Sequence, residues 1–457
     1  MQCKGNDMKS YSFFTFSISL ILLILLFTSC NTTEPTPFKE ELPKSIKLKL
    51  LDVSCTEAFI NVNVGDSVLP IAITFKKDNA ALFSFTLTKT DTIIIDTTLQ
   101  PNITYTYQIT AQISGKEENS DTLQVKTLQT TSNNFVWQTF EFGGNISNSV
   151  LFDVAIIDEN NIWAVGEIRT DSTDTLYNVV HWDGAVWKLL KLQFYSFCGQ
   201  PNTGSYPARA IFTFNDGVFV LGSTSQIIYL SDGNQLKIEC LPLTISINKI
   251  WGSASTDFYA TGNTGSLAHH QNADWSKIET GTTIPLNDIY GSKDGKNVLI
   301  SGYDSETGNS LLLRYSDNTM TKIYEVLPGS PGWNEARDNL ISGVISSLWT
   351  ISEYQLWIAS TFGFYMAPQK TEGEAKLKYK FSFPIGFIER IRGEGNNNVY
   401  AVGDYSTIFH YDGLDWTLCS INFGDGAKLY SVAAKNNTIV AVGTTGKAIL
   451  MLGKQLN

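Results

Sequence analysis

From residue 46 to the C terminus the chain is written largely in period two, apolar and polar residues alternating in short runs between Gly-, Asn- and Asp-bearing turns. Residues 46–50, 58–62 and 82–87 show the alternation in the first part of the chain. Such runs predict strands with one face buried and one wet. Further on, a short motif recurs: Asn248-Lys249-Ile250-Trp251, Asn287-Asp288-Ile289-Tyr290, Ser346-Ser347-Leu348-Trp349 and Glu389-Arg390-Ile391-Arg392, with weaker copies beginning at Phe152, Arg209 and Tyr430. A second follows each copy, as in Trp163-Ala164-Val165-Gly166, Tyr259-Ala260-Thr261-Gly262 and Tyr400-Ala401-Val402-Gly403. A third strand is best seen in Val180-His181-Trp182-Asp183-Gly184 and Phe409-His410-Tyr411-Asp412-Gly413, and a fourth begins near Trp187, Trp275 and Trp416.

The last residue of the first motif falls at 155, 212, 251, 290, 349, 392 and 433, an interval of about 40 residues with two insertions. Four strands per unit, repeated seven times, predict a seven-bladed β-propeller over residues 135–457, since a lone four-stranded sheet cannot bury both faces. The seventh unit has only three strands, ending near Gly453, whereas Phe135–Phe142 stands before the first unit as an orphan. Pairing the two would close the ring and remove exposed sheet edges. The Asp-Gly pairs at 183–184, 232–233 and 412–413 read as hairpin turns.

Between the two parts of the chain, Leu99, Pro101 and Tyr105 make a Leu-x-Pro-x-x-x-Tyr stretch. It resembles fibronectin type III domains, in which the Leu plugs the core, the Pro turns the chain and the Tyr opens the next strand in a tyrosine corner. Residues 120–128 are similar to that family's last strand. The expected fold class is therefore all-β: a small Ig-like, fibronectin type III β-sandwich over 44–128, followed by the seven-bladed propeller closed by an N-terminal strand. Modules of this kind act as spacers.

Residues 13–27 are almost continuously apolar, preceded by Lys4 and Lys9 and followed by Thr28-Ser29-Cys30. The run has the length of a signal-peptide core and is short for a membrane span. Met8 would also serve as a start. The stretch ending at Cys30 resembles the lipobox of bacterial lipoproteins, with Phe27 where that family has an aliphatic residue. The resemblance implies that 1–29 is removed and that Cys30 is lipidated, with 30–43 as a polar tether. It also implies an address in the cell envelope, namely the outer membrane of a Gram-negative bacterium, periplasmic or surface-facing.

Composition narrows the function classes. The 457 residues carry 33 Lys plus Arg against 44 Asp plus Glu, a formal charge of −11, and no basic run. That balance argues against nucleic acid. Of six Cys, four lie beyond Cys30 (Cys55, Cys198, Cys240 and Cys419), far apart and without metal-ligand spacing. Cys198 and Cys240 either bridge neighbouring elements or stay as free thiols. His181, His269 and His410 each stand six residues before a Trp. They fall at equivalent repeat positions, which predicts packing roles spread over the repeats; no metal or cofactor is expected.

The turn positions and the repeat unit are similar to BNR and sialidase-like propellers and to photosystem-assembly-factor-like propellers. That resemblance implies a fold, and the Arg residues do not share the single repeat position that a sialidase would need. Extra length gathers in 167–178, 193–207, 303–309 and 328–343, all connections that leave one face of a propeller; 370–378 is the exception. These loops bring Tyr177, Tyr195, Tyr206, Tyr303, Trp333 and Arg337 to that face, with Phe362 and Tyr405 beside them. Aromatic and Arg side chains bury much area with few rotors, as binding faces require. The expected function is a binding module for a glycan or an envelope protein, with no catalytic residue assigned. The alternatives are a carbohydrate-active hydrolase or lyase at the channel, and an assembly or secretion accessory factor.

Overall fold

A computed structural model describes residues 45–145, 148–170, 173–231, 233–369, 375–381, 386–419 and 426–456. The leader, Cys30 and the tether lie outside these residues, as do Asp232 and the 370–374 part of the exceptional insertion.

The first alternating runs form two facing sheets. One contains Ile46–Val53, Ala58–Val64 and Asp91–Asp96; the other contains Ala80–Leu87, Ile71–Lys77, Thr104–Ile113, Lys116–Asn119 and Leu123–Lys126. Their inward residues, among them Ile60, Val62, Ile73, Phe75, Tyr107 and Ile109, make one apolar core. Leu99 is buried in it, and the Gln100 backbone N–H donates to Tyr105 Oη at 2.9 Å. Residues 82–87 keep the expected one-sided burial at one end, where Phe85 and Leu87 pack into that core and Ser84 and Thr86 are exposed. Ala80–Leu87 is an edge strand, so Leu82 and Phe83 stay exposed, with the Phe83 ring stacked on Phe75 at 5.5 Å.

Beyond residue 134 the described residues hold seven four-stranded antiparallel sheets and one two-stranded ribbon, Phe194–Tyr195 with Thr203–Gly204. The four-stranded sheets, numbered 1 to 7 along the chain, begin with Val150–Asp158, Ala210–Thr213, Ile247–Ala254, Leu286–Gly291, Ile345–Trp349, Ile388–Gly395 and Lys428–Lys435. Sheets 1 to 6 use consecutive strands. Sheet 7 takes its fourth strand from Phe135–Phe142, paired with Ala448–Gln455 from Phe142 opposite Ala448 to Phe135 opposite Gln455. No sheet closes on itself. An apolar cluster fills the space between each sheet and the next, and Leu151, Ile162, Val440 and Leu450 do the same between sheets 7 and 1. Gly184 and Gly413 take left-handed φ of 90° and 105° in their turns, a conformation in which a Cβ would be strained.

The sandwich rests on sheets 5 and 6. The Phe59 ring stacks on Tyr354 at 5.4 Å, Asn396 Nδ2 donates to Asp52 Oδ1 at 3.3 Å, and Asn397 Nδ2 donates to the Gln129 carbonyl at 2.7 Å. These contacts use the turns that follow the first strands of the two sheets.

Candidate functional site: an axial ion network beneath a loop face

In six of the seven four-stranded sheets the pairing of first and second strands slips by one residue near its start: between Leu151 and Asp153, Ile247 and Lys249, Leu286 and Asp288, Ile345 and Ser347, Ile388 and Arg390, and Leu429 and Ser431. A bulge of this kind re-aims the side chain that follows it. The residues that follow meet across sheets, several of them not neighbours in sequence. Lys249 Nζ lies 2.5 Å from Asp153 Oδ1, which also accepts from Ser431 Oγ at 2.7 Å. Arg390 and Arg392 reach Asp288 Oδ1 at 2.7 Å and 2.5 Å, and Ser347 Oγ donates to Asp288 Oδ2. The Ile211 N–H donates to Asp153 Oδ2 at 2.9 Å and the Leu348 N–H to Asp288 Oδ2 at 3.2 Å. The first strands therefore converge on a common axis, and charged and hydroxyl side chains close it at mid-height.

Both axial carboxylates are engaged. Burial alone would raise Asp288, but Arg390 and Arg392 beside it hold it well below the ordinary carboxylate range. Asp153, equally buried, is held down chiefly by Lys249 and Arg390. Neither is placed to give or take a proton at neutral pH, which is what acid–base chemistry on this axis would require.

Above the network, Phe152, Asn248, Asn287, Glu389 and Tyr430, each preceding an axial position, line one mouth, while Ser346 is buried. Arg209 lies over the Phe152 ring at 4.4 Å and Phe152 packs on Tyr430 at 5.9 Å. Lys428 lies over Tyr430 at 5.2 Å and pairs with Glu389 at 2.6 Å and Asp404 at 3.5 Å. Tyr303 packs on Phe387 at 5.3 Å, and burial pushes its phenol up to about 12. Asn248 and Asn287 continue the rim, Asn287 Nδ2 donating to the Tyr303 carbonyl at 3.1 Å. Alternating cationic, aromatic and acidic groups thus surround a floor fixed by ion pairs.

The eight residues singled out in the sequence are not drawn into one constellation. Tyr303 joins the mouth. Trp333 lies on Gly308 and so braces loop 328–343 against loop 303–309, while the Phe362 ring covers Gly343 and the Tyr405 ring covers Gly386. Arg337 is exposed and pairs with Glu335 at 2.7 Å. Tyr206 Oη donates to Ser196 Oγ at 3.0 Å, and Tyr195 is tied to Gln226 through its backbone N–H at 2.8 Å. Tyr177 packs into the cluster between sheets 7 and 1, with Lys191 over its ring at 4.5 Å. Of the two options for Cys198 and Cys240, the structure has the disulfide, which staples loop 193–207 to the fourth strand of sheet 2. Cys55 and Cys419 are free thiols.

Sequence reasoning missed Asp153, Lys249, Asp288, Ser347, Arg390 and Ser431. The signal was present: each is the polar second residue of the recurring motif, directly before an apolar residue that packs between sheets. The His residues form a repeated local unit. His181 stacks on Trp163 at 4.0 Å, His269 on Tyr259 at 4.1 Å and His410 on Tyr400 at 4.7 Å. Their Nε2 atoms lie 3.0, 2.7 and 2.9 Å from side-chain oxygens of Asn161, Asp257 and Asn398.

No protein-family model and no curated protein matches the sequence. Among solved structures, the WD40 β-propeller domain of Doa1 aligns with a TM-score of 0.51 at 11% identity, over 71% of this chain and 98% of that one. The fold is propeller-like. YCF48 bound to D1 peptide aligns at 0.49 and 12% identity, over 72% of this chain and 100% of that one. YCF48 from Cyanidioschyzon merolae aligns at 0.45 and 14%, over 69% and 98%.

Proposed function

We propose that the chain is a lipid-anchored envelope protein in which a fibronectin type III-like stalk, residues 44–128, presents a seven-bladed propeller, residues 135–457, that binds a protein partner at its loop-bearing face. The three-plus-five sheet arrangement and the Gln100–Tyr105 bond support the stalk. Seven consecutive four-stranded sheets, with an apolar cluster between sheets 7 and 1, support the blade count. The observation that carries the binding reading is the mouth itself, where Arg209, Phe152, Tyr430 and Lys428 present stacked aromatic and cationic surface above a floor fixed by ion pairs. Arg and Tyr are the residues on which binding energy concentrates.

The test uses residues 44–457 against peptide and glycan arrays. Saturable peptide binding that falls tenfold or more when Arg209 and Tyr430 are replaced by Ala, with unchanged thermal stability, is the expected result; tenfold corresponds to about 1.4 kcal/mol. Binding that survives both this change and replacement of Tyr206, Trp333 and Arg337 by Ala would overturn the assignment of the face. The hydrolase or lyase reading would rest on Glu389, whose carboxyl burial raises even with Lys428 at 2.6 Å. Product formation on any glycan that binds, lost in Glu389→Gln, would establish it. For the anchor, Cys30→Ala should release the protein from the membrane fraction, and protease shaving of intact cells reports which way it faces.

A further inference from the structure

The other end of the axis is a different site. Below the ion network the first strands splay into a funnel of about 250 Å³. Phe212, Trp251 and Tyr290 form an aromatic wall, and Arg392, Lys435 and Lys249 also line the funnel. The wall is continuous: the Trp251 and Tyr290 ring centroids are 5.9 Å apart, and the Arg392 guanidinium lies 5.3 Å from the Tyr290 centroid.

The charge lining the funnel is of one sign: Lys249, Arg392 and Lys435 stand in it with no carboxylate among the lining residues. On the axis itself Lys249, Arg390 and Arg392 meet the two carboxylates Asp153 and Asp288, and Glu389, which pairs with Lys428, also acts on Arg390. Lys435 adds a further cation at the rim, its Nζ donating to the Ile157 carbonyl at 2.8 Å and its charge acting on Glu394. Arg390 Nε is buried without an acceptor. Burial pushes the Lys249 ammonium down to about 8 against the pull of Asp153, and Arg390 and Arg392 add to the push. Cations crowded together away from water repel one another, and an anion arriving from solvent relieves that repulsion.

We propose that this funnel binds a small organic carboxylate with a flat apolar body, its charge directed at Arg392 and Lys249 and its body against Phe212, Trp251 and Tyr290. The volume is the share of about eight waters, or of a ligand of roughly ten non-hydrogen atoms. The site does not depend on the loop-face reading, because the first strands begin at the mouth and end at the funnel, with the ion network between.

Phenylacetate is the probe, titrated into residues 44–457 by calorimetry with ligand-observed NMR, beside 2-phenylethanol and sodium sulfate. Saturable phenylacetate binding is expected, at least tenfold tighter than that of the neutral alcohol and weakened by added salt. Thr213→Trp, which fills the funnel wall without touching the ion network, should abolish it. Lys435→Met, a change at the exposed rim that leaves the core intact, should weaken it several-fold and serves if the filled variant does not fold. Equal binding of the alcohol, equal displacement by sulfate at the same concentration, no saturation, or an unchanged affinity in these variants would overturn the proposal.

Discussion

Replacing Asp288 by Asn tests the axial network most directly. The Asp288 carboxylate is fully buried and accepts from Arg390 at 2.7 Å, from Arg392 at 2.5 and 3.0 Å, from the Leu348 N–H at 3.2 Å, and from the Ser347 hydroxyl. A carboxamide of the same shape keeps one acceptor oxygen and turns an NH₂ toward a guanidinium. The network's net charge then rises by one. Breaking a buried pair from one side costs about 3–5 kcal/mol. For a domain of this size that is a fall in Tm of roughly 4–7 °C. The double variant Asp288→Asn with Arg392→Met returns the net charge to that of the parent, and should recover about 2 kcal/mol of the loss. Urea unfolding followed in parallel by tryptophan fluorescence and circular dichroism measures both. Asp288→Asn within about 1 kcal/mol of the parent, or a double variant whose loss is the sum of the two single losses, would refute the reasoning.

Further expectations follow from single features. Loss of the Cys198–Cys240 bridge, which spans 42 residues, should lower stability by about 2–4 kcal/mol and open loop 193–207 to proteolysis; Cys198→Ser melted beside the reduced parent checks it. A chain beginning at Thr130 should stay soluble, whereas one beginning at Gly143 lacks Phe135–Phe142, leaves Ala448–Gln455 as a bare edge and should aggregate, as read by size-exclusion chromatography. Burial pushes the His410 imidazole down to about 4, so between there and the unfolded value near 6.5 the unfolded chain holds a proton that the folded one lacks. Stability should therefore fall as pH drops through that window, by on the order of 3 kcal/mol, and His410→Gln should flatten the dependence of Tm on pH.

The strand pattern was legible because it is local. Alternation located Ile46–Val53 and Ala58–Val64, the recurring motifs located the first and second strands of each sheet, and the unmatched Phe135–Phe142 pointed to its partner at the far end of the chain. The loop aromatics were legible as a set but not as a site. Whether Trp333 faces a ligand or lies on Gly308 depends on where a second loop passes, and Tyr177 proved to be core because sheet 7 packs beside sheet 1. Phe83 shares the core-facing side of its strand with Phe85 and Leu87 and still stays exposed because no strand pairs beyond its own.

Side-chain period, turn chemistry and repeat length are short-range properties of the backbone, and the amino-acid order is enough to specify strands, their grouping in fours and the partition into two β regions. Lys249 and Asp153 are 96 residues apart in the chain, Arg392 and Asp288 are 104 apart, and neither spacing carries a signal. They meet because apolar packing between successive sheets brings the first strands side by side, and because a bulge in six of the seven turns one polar residue toward the shared axis. The cluster of buried charge at that axis exists only once the sheets are assembled around it.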